Sequence, residues 1–173
     1  NPAEDSRVCV SDLTHCSRIG FKGADTVAWL GSHQVAMPET PNLACVLEDG
    51  SLNARLSETE FLLIDTETSD ISTIASLRGS WSMDISERTY ILERSDSHAC
   101  FEISGDCSAE MFSKVCGVDL RAHKFSNMSL AQTSVAKLNS IVIRADRDFS
   151  LRFLLLADLS AAEYLWAVIE DAA

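Results

Sequence analysis

Short apolar runs and short amphipathic stretches alternate along this chain, and their order predicts its elements. Arg18–Lys22 (RIGFK) reads as an extended segment ending at Gly23, and 24–30 (ADTVAWL) as a short helix with Ala24, Val27, Ala28 and Leu30 apolar. Asp25 falls in its first turn, where a carboxylate suits the positive end of the helix dipole. Two prolines within 37–41 (MPETP) predict a loop. Strands are predicted over 42–47, 52–56 and 60–65, with Asp49-Gly50 supplying the positive φ of a turn. A helical face follows from Ser69 to Leu77 (Ile71, Ile74, Ala75, Leu77), with Gly79 beyond it as a cap.

The second half has the same order. A strand over 99–103 (ACFEI) precedes Gly105, a helix is predicted over 107–115 (CSAEMFSKV), and strands over 130–135, 138–144 and 151–157. Asp146-Arg147-Asp148 reads as a polar turn. The helix over 160–171 has Ser160 as N-cap and Glu163 as the partner of a capping box. Gly23 aligns with Gly105, 28–30 with 110–112, and Phe61–Asp65 with Phe153–Asp158. A strand over 90–94 lies in the join between the halves. The expected fold is therefore α+β: one domain over 1–173 made of two pseudo-repeated split β-α-β halves, about 18–79 and 90–171, with mainly antiparallel sheet.

A chain of 173 residues, 46% hydrophobic and 23% charged, is long enough to bury a core of its own. No apolar run approaches the ~20 residues of a membrane span, and no cationic and apolar leader is visible at the N-terminus, so no signal peptide is expected. The net charge of −12 opposes non-specific binding to nucleic acid and to anionic membranes. That charge is uneven: 114–152 holds 7 basic residues against Asp119, Asp146 and Asp148. Within it, Lys114, Arg121, His123, Lys124 and Arg144 are candidate contacts for an acidic partner or a small anion.

Other chemistry is sparse. Six cysteines occur without a CxxC pair or zinc-knuckle spacing, so no metal site is expected and reduced thiols of a cytoplasmic protein are. Cys9 and Cys16 beside His15, and His98 near Cys100 and Cys107, are loose clusters. No nucleophile elbow, P-loop or dinucleotide fingerprint is present, and the glycines of Gly20-Phe21-Lys22-Gly23 are too isolated to cradle phosphate. Asp119 lies in an apolar run, where a carboxylate needs a partner, most simply in a hydrogen-bonded turn. Trp29, Trp81 and Trp166 suit core or interface anchors.

Several blocks resemble the gamma subunit of heterotetrameric sarcosine oxidase. They are Gly20-Phe21-Lys22-Gly23 with Trp29-Leu30, Pro38 with Pro41-Asn42, Asp49-Gly50 through Leu63, 94–101 (RSDSHACF), 111–121 (MFSKVCGVDLR), 131–139 (AQTSVAKLN) and the ending from Leu155 to Trp166. The KVCGVDLR and AQTSVAKLN blocks carry most of the specificity. The gamma subunit of N-methylglutamate dehydrogenase is a close relative of the same pattern. The resemblance implies a fold like the folate-binding domain of glycine-cleavage aminomethyltransferase. It also implies a cytoplasmic, non-catalytic subunit of a hetero-oligomeric flavoenzyme that demethylates sarcosine to glycine in one-carbon metabolism. FAD, FMN, NAD, tetrahydrofolate and zinc would then reside in partner subunits, and no catalytic residue carries over to this chain. Ala24-Asp25 and the compact turn at 146–150 depart from the family pattern, which leaves room for contacts particular to one complex. A stand-alone folate-binding or aminomethyltransferase-like protein is the alternative.

Overall fold

The computed structural model describes residues 8–66, 72–84 and 87–173. The chain divides into two units, one made of His15–Asp96 and the other of Asn1–Thr14 with Ser97–Ala173.

The His15–Asp96 unit contains β2 (Arg18–Lys22), α1 (Thr26–Ser32), β3 (Leu43–Val46), β4 (Leu52–Ser57), β5 (Glu60–Ile64), α2 (Thr73–Ser80) and β6 (Tyr90–Glu93). The other unit contains β1 (Cys9–Asp12), β7 (His98–Ser104), α3 (Ser108–Ser113), β8 (Leu130–Val135), β9 (Leu138–Arg144), β10 (Arg152–Asp158), a 3-10 turn (Leu159–Ala161) and α4 (Ala162–Ala172). Each unit holds one five-stranded sheet, ordered β3-β4-β5-β2-β6 and β8-β9-β10-β7-β1, and every pairing between neighbours is antiparallel. The fold is α+β.

The repeat expected from the glycines extends to individual hydrogen bonds. Gly23 and Gly105 both take a positive φ, at 144° and 110°. After them, Thr26 N donates to Gly23 O at 3.1 Å and Ser108 N to Gly105 O at 3.0 Å. Trp29 N donates to Asp25 O and Met111 N to Cys107 O, both at 2.9 Å. Phe21 faces Phe61 across β2–β5 as Ile103 faces Phe153 across β7–β10. One edge strand of each sheet departs from the expected halves: β6 (Tyr90–Glu93), at the start of the expected second half, pairs with β2 of the first, and β1, which precedes the expected first half, pairs with β7. The apolar pattern gave no sign of β1, whose four residues Cys9–Asp12 are only half-buried or exposed on a sheet edge.

Burial explains the strand patterns. All of β10 but Asp158 is buried, so it reads as a continuous apolar run instead of an alternation. In β8, Gln132 and Ser134 are exposed while Ala131 and Thr133 are half-buried and Val135 buried, the alternation of an edge strand with one wet face; Leu130, at the strand's start, is buried on the wet side. One core packs Phe101, Phe112, Phe153, Leu155, Leu165 and Ile169 together, with Phe112 edge-on to Phe153 at 5.3 Å and Trp166 edge-on to Phe101 at 5.2 Å. The other packs Ile19, Phe21, Leu30, Phe61, Leu63, Ile74 and Leu77, with Trp29 tilted against Phe21 at 4.9 Å.

Helix ends depart from the sequence reading. Asp25 stands just before α1, makes no capping bond, and pairs instead with Arg88 at 2.8 Å. Gly79 lies inside α2, and Trp81 closes that helix. The N-cap of α2 is Ser72, whose hydroxyl accepts from Ala75 N; positions 69–71 of the expected helix lie outside the described residues. The Ser160–Glu163 capping box does not form. Asp158 accepts from Ser160 N at 2.8 Å and starts the 3-10 turn, so α4 begins later, after Ala161. The carboxylate two residues upstream wins because it ends β10, a strand fixed in the sheet.

Candidate functional site

The basic stretch is organised by one buried side chain. Arg144 ends β9 at 9% exposure and donates from Nη1 to Phe125 O at 2.6 Å and to Ala122 O at 3.2 Å. Its Nε and Nη2 grip the Asp146 carboxylate at 3.0 and 2.6 Å. Asn127 Oδ1 accepts from Asp146 N at 2.9 Å, and Met128 N donates to Arg144 O. These bonds tie the loop before β8 to the end of β9, and Phe125 anchors it in the core. On that frame Arg121, His123 and Lys124 are exposed.

The five candidate contacts are therefore of two kinds. Arg144 lies beneath the surface as the fastening of the loop, while Arg121, His123 and Lys124 stand on it. Lys114 is set apart, its Nζ donating to the Ala172 carbonyl at 2.6 Å at the end of α4, where the positive charge also suits the helix dipole. Arg121 is paired with Asp119 at 2.6 Å. Asp119 is exposed and forms a hydrogen-bonded turn that accepts from Arg121 N. The Arg121 side chain holds its carboxyl well below the usual carboxylate range. Lys124 makes no ion pair among the described residues. The surface can attract carboxylates; it has no nucleophile poised beside a base.

Asp119 and Arg121 also line an open groove of about 830 Å³, together with Ala109, Val118, Leu120 and Leu151 and the acids Asp106 and Glu110. Smaller depressions lie elsewhere, two of them lined by histidines. One, of about 340 Å³, is lined by His98, Gln132, Asn139 and Ser140, and the other, of about 380 Å³, by His33, Val35, Leu47 and Thr73. No set of three or more His, Cys, Asp or Glu side chains among the described residues is placed to hold a metal ion. Cys9 lies in β1 of one unit and Cys16 in the other unit; Cys16 Sγ is 3.6 Å from His15 Nε2. The Gly20–Gly23 backbone is already occupied by the chain itself. A Cβ on Gly23 would lie 1.9 Å from Arg88 O, and one on Gly20 3.2 Å from Leu92 Cβ, so these glycines admit the β6 segment and leave no cradle for a phosphate.

Sequence reasoning placed the charged loop but missed the most exposed aromatic in the chain. Phe149 stands at the tip of the β9–β10 connection. The signal was there: a phenylalanine between Asp148 and Ser150, in a stretch read as polar.

No protein-family model matches the chain, and no curated protein sequence matches it. Solved structures do. A chain of the heterotetrameric sarcosine oxidase from Corynebacterium sp. U-96, in complex with pyrrole 2-carboxylate, superposes with a TM-score of 0.79 at 19% identity, over 97% of this chain and 84% of that one. Glycine cleavage system aminomethyltransferase T from Bartonella henselae superposes with a TM-score of 0.70 at 12% identity, over 95% of this chain. The match spans only 45% of the aminomethyltransferase's length. The fold is thus shared with both, in agreement with the resemblance of the sequence blocks. Among the described residues no helix is long and apolar enough to cross a membrane.

Proposed function

We propose that this chain is a gamma-type, non-catalytic subunit of a heterotetrameric sarcosine oxidase, supporting oxidative demethylation of sarcosine to glycine in the cytoplasm. The observation that carries this reading is the near end-to-end superposition, 97% of this chain on 84% of a chain of such an enzyme. A shared fold does not by itself give function; the matching sequence blocks and the basic, loop-borne surface support the subunit role. Under this reading the FAD, FMN, NAD, tetrahydrofolate and zinc belong to partner subunits. This chain's own residues supply shape and charge for assembly.

The test is recovery of the tagged full chain from its native host at moderate salt, with a visible spectrum and an activity assay. Flavin-bearing chains and sarcosine-dependent turnover are expected. Turnover on N-methylglutamate instead would reassign the complex to N-methylglutamate dehydrogenase. A colourless chain running alone at about 18.9 kDa would overturn the subunit reading. The superposition on aminomethyltransferase T favours one second reading, a stand-alone folate-binding protein; saturable binding of tetrahydrofolate by the isolated chain would support it.

A further inference from the structure

Six of the seven phenylalanines (Phe21, Phe61, Phe101, Phe112, Phe125, Phe153) are at most 9% exposed, whereas Phe149 is fully exposed, at 110%. The two backbone bonds between Arg147 and Ser150, at 3.1 and 2.8 Å, close a tight turn with Asp148 and Phe149 at its tip. Both tip residues take a positive φ, 51° and 64°. That geometry favours Asn-Gly or Asp-Gly, and a bulky side chain there is an outlier. Neither turn formation nor solubility benefits from a phenylalanine at this position.

The tip is also an extension. Across β4–β5, Arg55 faces Phe61, six positions later; across β9–β10 the equivalent pair, Arg144 and Phe153, is nine positions apart, so this connection carries three more residues. Its base is fixed by the Arg144–Asp146 pair and by Asn127, and the same Arg144 guanidinium holds the Ala122 and Phe125 carbonyls of the loop that carries Arg121, His123 and Lys124. An exposed aromatic on a fastened stalk, beside a basic loop in a chain of net charge −12, suits a socket that is apolar within and acidic at its rim. An anionic lipid surface, unlike a local socket, meets the net charge of the whole chain, −12, which disfavours it.

We infer that Phe149 is the anchor by which this chain docks onto another subunit, seating in an apolar socket whose rim carries carboxylates that face Arg121 and Lys124. The inference rests on the subunit reading above and adds to it the surface and the chemistry of the partner.

The test compares the tagged full chain with its Phe149→Gly and Phe149→Trp variants, recovered from the native host at moderate salt. The readout is flavin absorbance per mole of tagged chain. Glycine suits the turn, so Phe149→Gly is expected to unfold at the same or a higher temperature while losing about tenfold of the co-purified flavoprotein. Phe149→Trp is expected to retain it. Equal recovery by Phe149→Gly overturns the anchor and leaves the subunit reading standing. Wild-type chain that recovers no flavoprotein overturns both. Co-sedimentation of the wild type with phosphatidylglycerol–phosphatidylcholine vesicles, abolished in Phe149→Gly, overturns it in favour of a membrane contact.

Discussion

Arg55 and Arg144 occupy the same position in two different sheets. Arg55 is the cross-strand neighbour of Phe61 and Arg144 that of Phe153. Each reaches back to the loop before the outer strand of its hairpin: Arg55 Nη1 donates to Glu39 O and Pro38 O at 2.6 and 3.0 Å, Arg144 Nη1 to Phe125 O and Ala122 O at 2.6 and 3.2 Å. Each also meets an acid just beyond its strand, Glu58 and Asp146. A planar fork with five donors can join two carbonyls and both oxygens of a carboxylate at once, four bonds where an ammonium has three donors on one atom.

Replacing Arg144 by methionine therefore leaves two loop carbonyls and the Asp146 carboxylate without their donor. The expected loss of stability is about 3 kcal/mol, the scale for removing one partner of a buried, hydrogen-bonded charge. Arg144→Lys is expected to recover only part of it. Denaturant unfolding measures the loss, and faster amide exchange at Lys124, Phe125 and Met128 would localise it to the loop. Unchanged exchange there would contradict the fastening role.

Asp49 gives a pH dependence of definite sign. Partial burial raises its pKa, but the Ser51 hydroxyl and the Thr73 amide outweigh this and hold it at about 2. Thr73 N donates to Asp49 Oδ2 at 2.6 Å at the start of α2. Because the folded value lies below the unfolded one, its stabilisation is complete above the unfolded pKa near 4 and is lost as pH falls toward 2. Asp49→Ala is expected to cost about 1–2 kcal/mol at pH 7. Urea titrations at pH 7 and at pH 2–3 should show the difference between wild type and variant shrinking with acid; a constant difference would refute it.

Three glycines separate three backbone roles. Gly23→Ala places a Cβ 1.9 Å from Arg88 O at a φ of +144°, so severe destabilisation, about 4 kcal/mol or more, is expected. Gly50 has a φ of +84° in open space, and its change to alanine is expected to cost about 1–2 kcal/mol. Gly79 lies in α2 with nothing within 4 Å of a new Cβ, so alanine there is expected to stabilise by about 0.5–1 kcal/mol. Thermal unfolding of the three variants should preserve that order.

Charge reversal of Arg121 and Lys124 to glutamate is expected to lower the unfolding temperature only slightly, since both side chains are solvated and the Arg121–Asp119 pair that is lost lies at the surface. Assembly with an acidic partner is expected to weaken, with a reduced dependence on salt concentration. Co-purification across a salt series measures this. Assembly as strong as wild type at low salt would count against the basic loop as an interface.

The strands were legible wherever side-chain pattern alone specifies them. Leu130–Val135, Leu138–Arg144 and Arg18–Lys22 have the bounds read from the chain, because period-two alternation or continuous burial is written into those residues. The repeated order of elements was legible too, since Gly23 and Gly105 mark the same turn in both halves. Helix ends were not. Asp158 displaced the Ser160–Glu163 box, and Arg88 drew Asp25 away, because competition among nearby acceptors is decided by strands already placed. Of the charged loop, the sequence by itself determined the residues and their excess of positive charge. Tertiary structure decided their roles. A guanidinium is drawn to whichever carbonyls the fold brings within reach, so Arg144 became a buried fastening while Arg121 and Lys124 stayed in water. It also decided the place of Phe149, whose neighbours in sequence look like any polar turn but whose stalk is built from Arg144, Asp146 and Asn127.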